Sequence, residues 1–138
     1  MSSIVQTQTT SFKAELYQAV HDLLNDDIYI ALYDGNANLN EATTEYSSAN
    51  EVVAAGYTPG GVIMTGVTIS TSGYTAYVNF DNVDFGAAIT ARCALIYNLT
   101  KGNKSIAVLD FGSNKTSSNF IITMPQNTAT TALIRSSV

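Results

Sequence analysis

The chain has 138 residues, enough for one domain, and 46% of them are hydrophobic, enough for a sizeable core. Charged residues make up only 12%, about half the share of roughly 25% in an average soluble domain, and Ser, Thr and Asn fill the polar positions instead. The formal net charge of −5 argues against nucleic-acid binding, which draws its affinity from Lys and Arg on phosphates.

Residues 1–10 are rich in Ser, Thr and Gln, carry no period, and read as a flexible arm. On that reading, removing the arm weakens attachment to a partner and leaves melting of the domain nearly unchanged. No apolar stretch in this segment suggests a signal peptide, and no segment approaches the roughly 20 apolar residues that span a bilayer. No membrane association is expected, and the Asn-x-Ser/Thr matches at Asn98, Asn103 and Asn114 are not expected to be glycosylated. Phe12, Leu16, Val20 and Leu23/Leu24 recur at spacings of three and four, which predicts a helix from Phe12 to about Leu24 with Thr10 or Ser11 as its cap.

After Asn25-Asp26 the period changes to two. Ile28, Ile30 and Leu32 alternate with Tyr29, Ala31 and Tyr33 in a first strand. Residues 34–61 are weakly patterned and close with Gly56-Tyr57-Thr58-Pro59-Gly60-Gly61; a loop of this length is uncommon and often functional, and a short strand can hide near Val52-Val53. Val62 to Thr71 and Tyr74 to Asp81 form a hairpin across Ser72-Gly73, and Ala91 to Asn98 meets Lys104 to Phe111 across a loop holding Gly102. Phe120 to Met124 and Ala132 to Arg135 supply the last strands. About seven or eight short strands at even spacing predict a mainly β fold: a single antiparallel, jelly-roll-like β-sandwich over 11–138 with one short N-terminal helix.

Chemistry-bearing residues are sparse. His21 is the only histidine and falls off the apolar stripe, so it reads as a solvated surface residue. Cys93 lies inside an apolar run and reads as a small buried hydrophobe. Asp110-Phe111-Gly112 matches a kinase metal-binding tripeptide in letters only and reads as a strand end at a glycine turn. Asp26-Asp27 and Asp81-Asn82-Val83-Asp84 offer oxygens for calcium, but Asp and Asn at strand ends are ordinary turn formers. No catalytic, metal or cofactor-binding residues are assigned, no cofactor is expected, and the chain reads as a non-enzyme. Tyr offers apolar area with a hydroxyl and is favoured at interfaces. Tyr29, Tyr33 and Tyr77, opposite the main aliphatic rows, are therefore candidate contact residues, with Tyr46, Tyr57 and Pro59 of the long loop and Ser2, Ser3, Ile4 and Val5 of the arm.

Several strings in order extend this reading. They are Ser11-Phe12-Lys13-Ala14-Glu15-Leu16, Ile30-Ala31-Leu32-Tyr33, Tyr46 to Val52 with Gly56 to Gly61, Ala91 to Asn98, and Ala107 to Gly112. Together they resemble small virion proteins of tailed bacteriophages over residues 11–135. The resemblance carries no catalytic motif. It implies a structural virion protein, foremost a head decoration (cement) protein on the major capsid protein, commonly a homo-oligomer and often a trimer. A neck, collar or tail component is the second expectation, and a carbohydrate- or receptor-binding β-sandwich module the alternative from another class.

Overall fold

A computed structural model describes residues 3–136 and places them in a mainly β, sandwich-like fold with one short helix. In chain order the elements are β1 (Ser3–Ile4), β2 (Thr7–Gln8), α1 (Thr10–Tyr17), β3 (Ile28–Tyr33), β4 (Asn38–Leu39), β5 (Val62–Ile63) and β6 (Thr68–Ser72). They continue with β7 (Thr75–Asn79), β8 (Val83–Asp84), β9 (Ile89–Asn98), β10 (Lys104–Ser117), β11 (Ile121–Ile122) and β12 (Ile134–Ser136). The main sheet runs β2-β10-β9-β3-β5, all antiparallel; a second runs β12-β7-β6, and β11-β8 and the parallel pair β1-β4 stand beside them.

The alternation in β3 sets the layers. Ile28, Ile30 and Leu32 point into the larger core with Ala94 and Ile96 of β9 and Ile106 of β10. There they meet Val78 of β7, Ile134 of β12, and Val83, Phe85, Phe120 and Ile122 around the β8-β11 pair. Each such aliphatic side chain contributes about 1.5–3 kcal/mol on full burial. The opposite face of the main sheet, Ala31 and Tyr33 with Cys93, Leu95, Tyr97 and Val108, is buried as well. It is covered by Ala37 and Leu39 of the long loop, with Ile4 and Tyr46 packed at the margin. The near-continuous apolar run Cys93 to Tyr97 follows from this cover on both sides. Upstream, Ile89 and Ala91 face the same core as Ala94 and Ile96, so the strand changes face near Arg92. At that point the register against β10 shifts, with Cys93 opposite Asp110 but Ala91 opposite Lys115.

Two expectations are corrected. Residues 3–8 are paired rather than a free arm: Ser3↔Asn38 and Ile4↔Leu39 join β1 to β4, and Thr7↔Val108 and Gln8↔Ala107 join β2 to β10. Neutral Ser, Thr and Gln hide this from composition, because the strands are too short for a period to show. Thr9, fully buried, hydrogen-bonds Ser105 at 2.9 Å and caps α1 by accepting from the Phe12 N–H.

The helix is also shorter than its apolar spacing suggests, ending at Tyr17. Ala19 takes a left-handed φ of 59°. The Val20 N–H reaches the Glu15 carbonyl at 3.0 Å and the Ala19 N–H reaches Leu16 at 3.2 Å, a Schellman closure. Phe12 and Leu23 still enter the core, by a chain reversal rather than along one helical face, and Leu16 and Leu24 are exposed.

Candidate functional site

The long loop 34–61 is organised by one carboxylate. Glu51 is only 8% exposed and forms a bridge with Tyr33 at the end of β3. Its Oε1 accepts the Tyr46 hydroxyl at 2.5 Å; its Oε2 accepts the Tyr57 hydroxyl at 2.5 Å and the Gly60 N–H at 2.7 Å. Three donors offset the desolvation of a buried charge. The Tyr57 oxygen in turn accepts the Leu32 N–H at 3.0 Å, and the Val52 N–H donates to the Leu32 carbonyl at 2.9 Å. Tyr97 donates to the Gly60 carbonyl at 2.6 Å and stacks on Tyr46 at 4.7 Å, and Tyr33 donates to Ser47 at 2.7 Å. Gly61, at φ +84°, lies so close to β3 that a Cβ there would sit 1.8 Å from the Ile30 carbonyl oxygen.

Burial, reinforced by the Glu51 charge, pushes the Tyr97 hydroxyl up to about 12. Burial raises Tyr33 and, together with hydrogen bonds to Glu51, raises Tyr46 and Tyr57. A loop with few apolar residues is thus fastened by its polar atoms.

This geometry corrects part of the expected contact set. Tyr33 and Tyr57 are buried and belong to the protein's own cores, because their hydroxyls find partners inside the loop. Tyr29 and Tyr46 are half-buried beside Tyr97. Pro59 is exposed at the loop's end, and Tyr77 is half-buried on the outer side of β7, opposite the core-facing Val78. Ser3 and Val5 are exposed and Ile4 half-buried; Ser2 lies outside the described residues. The most exposed large apolar side chains are others: Val53 at 98%, Tyr17 at 93% and Tyr74 at 89%. Nothing in their local spacing marks them, since each falls at a loop or at the end of an element.

A second polar centre closes the other end of β3 and β9. The His21 side chain is fully buried, not solvated, with its ring 5.0 Å from Phe12. The Lys101 N–H donates to Asn98 Oδ1 at 3.1 Å, which turns the Asn98 amide nitrogen toward His21 Nδ1 (3.0 Å) and Asp26 Oδ2 (2.9 Å). Nδ1 is therefore the bare nitrogen, and Nε2 carries the proton to Glu15 Oε1 at 2.9 Å. Asp26 also holds Lys101 Nζ at 3.0 Å. Burial would raise the Asp26 carboxyl, but bonds from Asn98, the Asp22 N–H and Lys101 outweigh it and lower it below its ordinary value.

The remaining candidates are turns and core. Asp84 accepts the Gly86 N–H at 2.8 Å and Asn82 accepts the Met124 N–H at 2.7 Å. Asp110 accepts the Gly112 N–H at 2.8 Å and pairs with Arg92, both of which lower its carboxyl; the strand does not end here as expected but continues to Ser117 past a register shift against β9. Cys93 is fully buried, which pushes its thiol up to about 12. No cluster of three or more metal-ligating side chains gathers among the described residues.

A groove of about 770 Å³ lies between β2, β10 and the stretch before β12, with Leu109, Phe111, Met124 and Leu133 along it. Two of its amides are engaged: Gln6 Oε1 accepts the Asp110 N–H at 3.0 Å, and Gln8 Nε2 donates to the Arg135 carbonyl at 3.2 Å. Among the described residues, no helix is long and apolar enough to cross a membrane. No protein-family model, curated protein or solved structure matches the chain.

Proposed function

We propose that this protein is a non-enzymatic structural component of a tailed-phage particle, foremost a decoration protein that packs on the head lattice beside copies of itself. The observation that carries the reading is the division of labour among its side chains. Glu51, His21, Asp26 and Asn98 are engaged in holding loops to sheets, while Val53, Tyr17 and Tyr74 stand in solvent on a charge-poor surface. Exposed apolar and aromatic side chains gain free energy when a neighbour covers them. The order of sequence strings that resembles phage virion proteins supplies the setting, with the major capsid protein or neck and tail proteins as partners and the virion as the location.

A density map of the particle whose genome encodes the chain tests this directly. The expected result is density for this fold at repeated positions on the head surface. Density only at the neck or tail overturns the decoration role, and particles free of the chain overturn the virion role.

A carbohydrate- or receptor-binding role is the second reading, favoured by the groove beside β2 with Phe111 and Arg135 on its walls. Binding of a glycan that Phe111→Ala abolishes would establish it; a glycan array without a hit removes it.

A further inference from the structure

We propose that β6 is a self-association edge that pairs antiparallel with β6 of a second copy, joining two three-stranded sheets into one of six across a two-fold axis. This goes beyond the virion reading and does not depend on it.

The register of the β6-β7 hairpin leaves two residues of β6 with free backbone groups. The hairpin closes through Gly73-Tyr74 on the pair Ser72↔Thr75, and Ser70↔Tyr77 and Thr68↔Asn79 follow in register. In a two-residue hairpin the closing pair exchanges its hydrogen bonds, and bonded pairs then alternate. Ser72, Ser70 and Thr68 therefore turn their N–H and C=O groups to β7. Ile69 and Thr71 turn theirs outward, where no strand lies beside β6 among the described residues.

This edge, Thr68-Ile69-Ser70-Thr71-Ser72, also lacks charge, proline and a bulge. Natural sheets blunt a free edge with one of these or with a covering segment. The opposite edge of the same sheet differs. In β12 the outward-facing residue is Arg135, which brings a charge, and its carbonyl is already taken by Gln8. A head-to-tail ring pairing β6 with β12 would have to break that bond, whereas β6 with β6 breaks no backbone hydrogen bond among the described residues.

The strand is complementary to itself. With Ser70 facing Ser70 of the partner subunit on the axis, each outward-facing Ile69 meets an outward-facing Thr71, and both pairs exchange N–H···O bonds. A chain of net charge −5 repels its copies, and a neutral strand is where they can approach. The core-facing row Ile134–Val78–Ile69 crosses the sheet with its first two members buried, yet Ile69 is left 48% exposed at the rim. A second copy covers it.

Sedimentation of the full-length protein tests the proposal, with a designed cross-link as the second measurement. The wild type is expected to sediment as a dimer. Ile69→Lys, which puts like charges across the axis, is expected to be a folded monomer, while Ile63→Lys on β5 remains dimeric. Ser70→Cys places two thiols at a non-bonded pair about 4.5 Å apart between Cα atoms, within disulfide reach. With Cys93 buried, an intermolecular disulfide is expected to form faster in Ser70→Cys than in Tyr74→Cys at the hairpin tip. A monomeric wild type, a dimer indifferent to Ile69→Lys, or equal cross-linking at Ser70 and Tyr74 overturns the proposal.

Discussion

The Tyr57 hydroxyl joins the long loop to β3: it donates to Glu51 Oε2 at 2.5 Å while accepting the Leu32 N–H at 3.0 Å. A side chain here fills a place in the sheet ladder that a backbone carbonyl would ordinarily take. The outer edge of β3 is thereby completed by β5, by Val52 and by one phenol.

Removing that oxygen isolates the contribution. Tyr57→Phe keeps the ring in the core but leaves a buried N–H and a carboxylate oxygen each short of a partner, at a cost of about 1–3 kcal/mol. Urea unfolding followed by circular dichroism measures it. A cost near zero would mean that the loop is not held by this bond.

High pH attacks the same centre. The Tyr97 hydroxyl is raised from its ordinary value of 10.0 to about 12, so its folded form binds the proton more tightly than the unfolded chain does. Its contribution is complete below pH 10 and lost as pH rises from 10 through about 12; Tyr33, Tyr46 and Tyr57 shift in the same direction. Phenolate absorbance of these tyrosines is expected to rise together with loss of β structure, not before it. Glu51→Gln removes the carboxylate charge that adds to burial in raising Tyr97, and should start this ionisation at lower pH.

Acid acts at the other end of the main sheet. Asp26 is lowered below its ordinary 3.8, so its stabilisation is present above that value and lost as pH falls through the folded-state value. Asp26→Asn replaces an acceptor of Lys101, Asn98 and the Asp22 N–H with an amide and costs about 1–3 kcal/mol at neutral pH. The difference from wild type should shrink below pH 4, as unfolding curves at several pH values will show.

Ala19→Gly separates the observed helix end from the longer helix that apolar spacing suggests. Inside a helix the change costs about 1 kcal/mol. At a left-handed φ of 59° glycine relieves the strain of a Cβ, so the variant should be neutral or more stable by up to about 1 kcal/mol. Its melting temperature distinguishes the two.

Deleting residues 1–8 should lower the melting temperature by several degrees, contrary to the expectation for a free arm. It strips β2 from β10, uncovers the margin held by Ile4 and frees the Arg135 carbonyl. An unchanged melt would show that the N-terminal strands add nothing to the fold.

Much of this architecture was legible in local pattern. The alternation of Ile28, Ile30 and Leu32 marked β3, and the paired apolar runs around Gly102 marked the β9-β10 hairpin. Cys93 was legible as core, whereas the strand end expected at Asp110-Phe111-Gly112 is instead an irregularity inside β10. What was legible follows from a period of two and from glycine punctuation, which act over a few residues.

Tertiary structure alone decided what covers the second face of the main sheet, since Leu39 and Tyr46 lie far along an unpatterned loop and are placed by Glu51 and by backbone pairing. It also decided the fate of the polar side chains. His21 looked solvated because it lies beside Asp22 and off the apolar stripe, and it is buried because the chain reverses at Ala19 and brings Asn98 and Glu15 to its two nitrogens. Periodicity records which residues leave water, whereas the partner of a buried polar atom is fixed only when distant segments meet.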